Sequence, residues 1–109
     1  MTSNSLPDAA VVRVSCGNFD PARFAEVRAM TIATGRYLMP AISRLPGLIS
    51  YYAAASPSGS IVHVSIWKSE EQAQQMSRLK EMIADARNDA EAAGVTFIPI
   101  VNYPINWAI

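Results

Sequence analysis

His63 is the single histidine of the 109-residue chain, and its side chain is the one best suited to proton transfer near neutral pH. It lies in the alternating segment Ile61–Trp67, on the face opposite Val62 and Val64. An imidazole in that position can take a proton from a phenol or stabilise an anion. The segment has no Asp or Glu to orient the ring, so the alternative is a structural hydrogen bond across the sheet or a subunit interface.

Three aromatic side chains are candidates for the wall of a ligand pocket. Trp67 shares the strand face of His63, so its ring can stack on a flat ligand, and packing at the strand-to-helix corner is the alternative. Tyr51 and Tyr52 are adjacent in one strand and must therefore point to opposite faces. We expect one of the two to face a pocket, and the sequence leaves open which one.

Two arginines and an asparagine are candidates for holding a substrate oxygen. Arg13 lies within an apolar strand, where an unpaired charge is costly, and Arg36 follows a weak helical stretch. The alternatives are pairing across a subunit interface for Arg13 and simple solvation for Arg36. Asn18 can donate to a substrate carbonyl from the loop after the first strand, but Gly-Asn before Asp-Pro is also ordinary turn chemistry.

Several other chemistries lack the residues that they need. Cys16 is the only cysteine, so no internal disulfide and no multi-cysteine metal site can form, which is typical of a reducing, cytoplasmic compartment. No His, Cys, Asp or Glu cluster has metal-ligand spacing, so we predict no bound metal. Gly35, Gly47 and Gly59 are isolated, and the chain has no phosphate loop, dinucleotide fingerprint or Ser-His-Asp set.

The charge balance argues against nucleic acid and membranes as partners. Nine Lys and Arg offset nine Asp and Glu, so no single-signed field is available to hold a polyanion. No apolar run approaches the ~20 residues needed to cross a bilayer. Half of the residues are apolar and 17% are charged, which predicts that some apolar surface meets another subunit.

The strands that must position these side chains are marked by β-branched, alternating runs bounded by turn residues. We predict them over residues 9–16, 48–55, 61–67 and 95–101. Pro99 cannot donate to a ladder, so the last strand is expected at an edge or with a bulge. The apolar tail Asn102–Ile109 is expected to pack on something, with a partner subunit as one candidate.

Two helices separate the strands. Asp20-Pro21 predicts the start of the first, which we expect to be kinked or split around Thr31–Arg36 and Pro40 and to end at Pro46-Gly47. Ser69, with Gln72 three residues later, predicts a capped second helix that ends near Gly94. Its apolar stripe comprises Ala73, Met76, Leu79, Ile83, Ala86 and Ala90.

The resulting βαββαβ order predicts an α+β, ferredoxin-like domain over residues 9–109, preceded by a flexible tail over residues 1–8. Both helices lie on one face of a four-stranded antiparallel sheet. The strands are apolar enough to be covered on both sides. Pairing of two sheets face to face across a two-fold axis is the simplest cover, so we expect a homodimer.

Two stretches of the sequence resemble a known family. Leu45–Tyr52 is similar to its Pro-Gly-aliphatic turn into the second strand, and Ile61–Ala73 is similar to its third strand with the Trp-x-Ser-x-x-x-Ala corner. With the element order, these motifs resemble the antibiotic-biosynthesis-monooxygenase (ABM) group of dimeric α/β barrels. The resemblance implies a homodimer with a cavity between sheet and helices in each subunit.

The resemblance also bounds the expected activity. The group includes cofactor-independent oxygenases of polycyclic aromatics, quinol oxygenases and haem-degrading enzymes. The haem-degrading members use an Asn from the first strand with a Trp and a His from the second helix. Here the first strand has no Asn, and Ser69–Ala93 contains neither Trp nor His. The expectation is a monooxygenase of a small aromatic or quinol that uses no cofactor. The alternative is a non-catalytic, ligand-binding or stress-responsive dimer.

Overall fold

The structure is a computed structural model that describes residues 6–109. Its elements follow in the order β1 (Val11–Asn18), α1 (Phe24–Ile42), β2 (Leu48–Ser56), β3 (Ser60–Trp67), α2 (Glu70–Ala73), α3 (Lys80–Ala92), β4 (Thr96–Phe97) and β5 (Val101–Pro104). Short 3-10 helices precede α1 at Pro21–Arg23 and join α2 to α3 at Gln74–Leu79. The tail predicted for residues 1–8 falls mostly on residues 1–5, which lie outside the described residues.

An antiparallel sheet with the strand order β2-β3-β1-β4 forms one layer of the fold. β2 and β3 form a hairpin in which Ser56 pairs with Ser60. β1 pairs with β3 along its whole length, from Val11 opposite Trp67 to Asn18 opposite Ser60. The α+β, ferredoxin-like fold predicted from the sequence is confirmed.

The last strand is interrupted at the proline that made an edge or a bulge expected. β4 and β5 both pair with the outer edge of β1, Phe97 lying opposite Gly17 and Val101 opposite Val14. Pro99 lies between them and has no N–H to give to the ladder. The strand predicted over residues 95–101 is therefore two short strands. β5 takes in part of the predicted tail, while Trp107 beyond it is 78% exposed.

The helix start predicted at Asp20-Pro21 is the start of the 3-10 turn that leads into α1. The Asp20 carboxylate accepts a hydrogen bond of 2.9 Å from the backbone N–H of Ala22. α1 then continues unbroken to Ile42, with Gly35 and Pro40 inside it. Of the kink or split expected here, the split is absent, because Pro40 lies in the last turn and so removes only one helical hydrogen bond near an end that is already short of partners.

The second helix is less regular than its apolar stripe predicted. Ser69 caps it, since its Oγ accepts from the backbone N–H of Gln72 at 3.2 Å. After one turn the chain tightens into the 3-10 segment Gln74–Leu79, and there the buried Gln75 amide donates to the carbonyl of Pro46 at 2.6 Å. The uninterrupted helix expected from Ser69 onward is therefore two helices with a tighter segment between them.

The sheet has one face toward the helices and one without cover in this chain. On the helix side one buried cluster includes Val11, Leu38 and Trp67, and a second includes Val27 and Ile61. Alternation along the strands places the neighbours of these residues on the other face. That face, called the open face below, carries Val12, Val14, Tyr52, Val62, Val64, Ile66, Val101 and Tyr103.

Candidate functional site

A cavity of about 410 Å³ lies between the helix side of the sheet and the helices, in contact with both buried clusters. The sheet supplies its polar floor, which includes Arg13, Ser15, Tyr51, His63 and Ser65. The helices supply a largely apolar roof, which includes Met30, Thr34, Leu38, Met76, Ile83 and Ala90. A volume in this range suits a small organic molecule, and an apolar wall with few polar groups is typical of ligand pockets.

The strand register brings the polar floor together. Arg13 of β1 lies opposite Ser65 of β3, which lies opposite Tyr51 of β2. His63 lies opposite Ser15 in the next row on the same face. Five side chains from three strands therefore share one surface, because residues two apart in a strand point the same way.

Tyr51 and His63 form the most specific contact of the site. The Tyr51 hydroxyl lies 2.7 Å from Nδ1 of His63, and the two rings meet edge to face at 82°. They are diagonal neighbours across the β2–β3 hairpin, a separation that long side chains can bridge. Among residues 6–109, Nε2 of His63 has no hydrogen-bond partner. It is therefore not fully buried, because every fully buried side-chain nitrogen in that range has a hydrogen-bond partner.

Burial sets the protonation states of this pair. It lowers the pKa of His63 below its ordinary value of 6.5, so the imidazole is neutral at pH 7. Burial also raises the pKa of Tyr51 from 10.0 to about 12, against the opposing effect of the nearby Arg13 charge. At neutral pH the site therefore holds a neutral base beside a neutral phenol, with a guanidinium as the neighbouring charge.

Trp67 lies at the strand-to-helix corner and is fully buried. Its indole N–H donates to the Ser65 hydroxyl at 2.8 Å, and its ring packs in the cluster with Leu38. The ring is not among the groups that line the cavity. Trp67 therefore reaches the site through Ser65, which itself lies on the cavity floor.

The other candidates from the sequence lie apart from the cavity. Tyr52 is on the open face and is 63% exposed, so Tyr51 is the tyrosine that faces the pocket. Arg36 is exposed on α1, and Asn18 is exposed at the end of β1 opposite Ser60. The structure brings His63 and Tyr51 together and leaves Tyr52, Arg36 and Asn18 elsewhere.

Several residues of the cavity were not singled out in the sequence. Met30 and Thr34 contribute from α1, and Lys80 and Arg87 contribute from α3. Met30 and Thr34 are four residues apart, and Lys80 and Arg87 are seven apart. Residues with these spacings share one face of a helix, so the sequence alone could have grouped each pair. The contact between Tyr51 and His63 could also have been predicted, because counting residues back from the turn after Ser56 gives the register of β2 on β3.

Within residues 6–109, no three or more His, Cys, Asp or Glu side chains lie close enough together to hold a metal ion. In the same range no helix is both long enough and apolar enough to span a bilayer.

Other proteins of known structure share this fold. A monooxygenase from the gene ActVA-Orf6 of Streptomyces coelicolor, solved in complex with nanaomycin D, superposes with a TM-score of 0.68 at 24% identity, over 94% of this chain and 92% of that one. A candidate antibiotic biosynthesis monooxygenase of Deinococcus radiodurans superposes with a TM-score of 0.66 at 17% identity, over 91% and 95%.

SnoaB, a cofactor-independent oxygenase from Streptomyces nogalater, is also similar, with a TM-score of 0.60 at 16% identity over 93% of this chain and 97% of that one. No protein-family model and no curated protein matches the sequence. These likenesses confirm the ABM-like fold that the resemblance predicted. At such identities the likenesses show the fold alone, so the chemistry has to be inferred from this chain's own residues.

Proposed function

We propose that the protein is a cytoplasmic, cofactor-independent monooxygenase of a small aromatic or quinol substrate, with His63 as its base. The observation that carries the proposal is a neutral histidine on the floor of a largely apolar cavity, with one nitrogen held by Tyr51 and the other unpartnered. Structural neighbours named as oxygenases, one of them solved in complex with nanaomycin D, support the reaction class.

The reaction needs one proton acceptor and dioxygen. His63 takes a proton from an acidic carbon or hydroxyl of the substrate, and the resulting anion passes electrons to O₂. For a ring CH₂ flanked by a carbonyl, a C–O bond forms to give a hydroperoxide, which loses water and leaves a new C=O. One oxygen atom enters the product, the other leaves as water, and the four electrons come from the substrate.

Tyr51 is the positioning residue in this scheme. With the proton of the neutral imidazole on Nδ1, the ring donates to the Tyr51 oxygen at 2.7 Å, and the lone pair of Nε2 is free to act as base. The Tyr51 hydroxyl also lines the cavity and can donate to a substrate oxygen. This hydrogen bond limits the rotation of the ring, and the proton stays on Nδ1, as the scheme requires, when the Tyr51 hydroxyl donates to a substrate oxygen instead of to the imidazole.

Oxygen uptake with a panel of anthrols, naphthols and quinols tests the proposal. We expect turnover by the wild type, a loss of about 100-fold or more in His63→Ala, and a smaller loss in Tyr51→Phe, since positioned proton transfer contributes roughly 10²–10⁴-fold. Tyr52→Phe is the matched control, because it removes the same hydroxyl on the opposite face. Equal rates in wild type and His63→Ala would remove the base from the scheme.

A non-catalytic ligand-binding protein is the alternative that the same panel separates. Binding of an aromatic compound without oxygen uptake by any member of the panel would favour it. The cavity serves either role, whereas the free Nε2 of His63 has a use in catalysis and none in simple apolar binding.

We further propose that the protein is a homodimer joined through its open faces. Tyr52 and Tyr103 are 63% and 52% exposed there, among the β-branched residues of three strands. Contiguous apolar surface of this kind is typical of subunit interfaces. Light scattering at micromolar concentration should give twice the chain mass of 11.8 kDa, and Val64→Asp should give the monomer mass.

A further inference from the structure

The charged side chains that line the cavity are all cationic. Arg13, Lys80 and Arg87 border it, and no Asp or Glu of residues 6–109 is among its lining groups. The whole chain is balanced, with nine basic and nine acidic residues. The one-signed lining is therefore a local property of the site, and a cationic, low-dielectric cleft concentrates anions.

Arg13 is the cation on the floor, half-buried in the middle of β1. Among the described residues its side chain has one hydrogen-bond partner, the side-chain amide oxygen Oδ1 of Asn102 at 3.5 Å, a long and neutral contact. The ion pair found in residues 6–109 joins Arg23 to Glu26 and does not involve Arg13. A guanidinium has five N–H donors, so most of those on Arg13 remain available to a ligand.

The surroundings of Arg13 add no compensating negative charge. Burial lowers its pKa, as expected where a cation loses water without gaining a carboxylate. Its neighbour Tyr51 stays a neutral phenol, because burial raises the pKa of Tyr51 to about 12. A half-buried cation in this position is costly unless a ligand supplies the missing anion.

We propose that the cavity binds an aromatic carboxylic acid, with its carboxylate on the Arg13 guanidinium and its rings against the apolar roof. The identity of the ring as an oxidisable aromatic rests on the proposed function. The planar guanidinium fork matches a carboxylate through two parallel hydrogen bonds. Lys80 and Arg87, seven residues apart on one face of α3, attract the same anion from the helix wall.

The test compares an acid with its neutral ester. Calorimetric titration under nitrogen with 3-hydroxy-2-naphthoic acid and its methyl ester measures binding without turnover. At pH 7 the carboxyl group is ionised, and we expect the wild type to bind the acid about 10-fold or more tightly than the ester. In Arg13→Gln the acid should weaken by about 10-fold while the ester changes less than about twofold.

Further variants keep the inference testable should Arg13→Gln fail to fold. Arg13→Lys keeps the charge and loses the fork, so acid affinity should fall by a smaller factor. Lys80→Gln, on the exposed wall, should weaken the acid by about twofold and reduce its salt dependence. Arg44→Gln removes an exposed arginine away from the cavity and should leave both affinities unchanged.

The outcomes separate this inference from the oxygenase proposal. Equal affinity for acid and ester in the wild type, or no binding of either, would overturn it, as would an equal weakening of both in Arg13→Gln. Oxygen uptake with the same kcat/KM for acid and ester would also overturn it and leave the oxygenase standing. Acid-selective binding with no oxygen uptake by any compound would support it and reject the oxygenase.

Discussion

The Tyr51 hydroxyl lies 2.7 Å from Nδ1 of His63, and this contact joins adjacent strands on the floor of the cavity. The contact orients the imidazole of His63, a role that no Asp or Glu of the same strand can take. A phenol orients the ring without adding charge, so the imidazole remains the weak, neutral base that burial makes it. The pH dependence of activity and stability should both reflect that state.

The pH profile of oxygen uptake should have an acidic limb governed by His63. The neutral imidazole is the active form, and burial lowers its pKa below 6.5 in the fold. We therefore expect kcat/KM to be constant near pH 7 and to fall only when the pH drops below this lowered pKa. A limb centred above pH 6.5 would contradict the burial of the base. A profile without an acidic limb would contradict its role.

Acid should also destabilise the fold through the same residue. The unfolded chain protonates His63 at its ordinary pKa, while the folded chain resists protonation, so the unfolded state binds more protons as the pH falls. The free energy of unfolding should then decrease from pH 7.5 to pH 5, less steeply in His63→Gln than in the wild type. Urea unfolding followed by circular dichroism measures the difference. Because His63 is the only histidine, equal slopes in the two proteins would show that its burial is incomplete.

The sequence predicted the fold well because its signals are local and repeated. Alternating apolar residues defined the strands, and Asp20 and Ser69 defined the helix starts through caps that the structure contains. The interruption within residues 74–79 was hidden, since a 3-10 turn shifts an apolar stripe too little to break its pattern. The Gln75 hydrogen bond to Pro46 within that segment joins residues far apart in the chain, which no local pattern encodes.

The site was predicted only in part, because which side chains point into the cavity depends on strand register and on contacts between residues far apart in the chain. The alternation of side chains along the strand placed His63 and Trp67 on one face. It could not show that the indole donates to Ser65 and packs away from the cavity. Arg13 was a candidate whose pairing across an interface remained open. Its place on the cavity floor follows from the pairing of β1 with β3, which no short stretch of sequence encodes.

The two tryptophans should respond very differently to the same substitution. Trp67→Phe removes a buried indole that donates to Ser65, so it leaves a void and an unpaired hydroxyl, and we expect a loss of about 1–3 kcal/mol. Trp107→Phe, at a residue that is 78% exposed, should change stability by less than about 0.5 kcal/mol. Chemical denaturation followed by circular dichroism compares the two without relying on tryptophan fluorescence. A small loss at Trp67 would mean that the corner can repack.

Two glycines should respond with opposite signs to alanine. Gly35 lies inside α1, where a new Cβ meets only the end of Met39 at 3.5 Å, so Gly35→Ala should stabilise the fold by about 0.5–1 kcal/mol. Gly47 has φ of +84° between α1 and β2, and a Cβ there would overlap the Gln72 side chain, so Gly47→Ala should destabilise by more than about 1 kcal/mol. Thermal unfolding of the two variants beside the wild type measures both changes. Destabilisation by Gly35→Ala would contradict the room that the structure leaves for a Cβ at this position of α1.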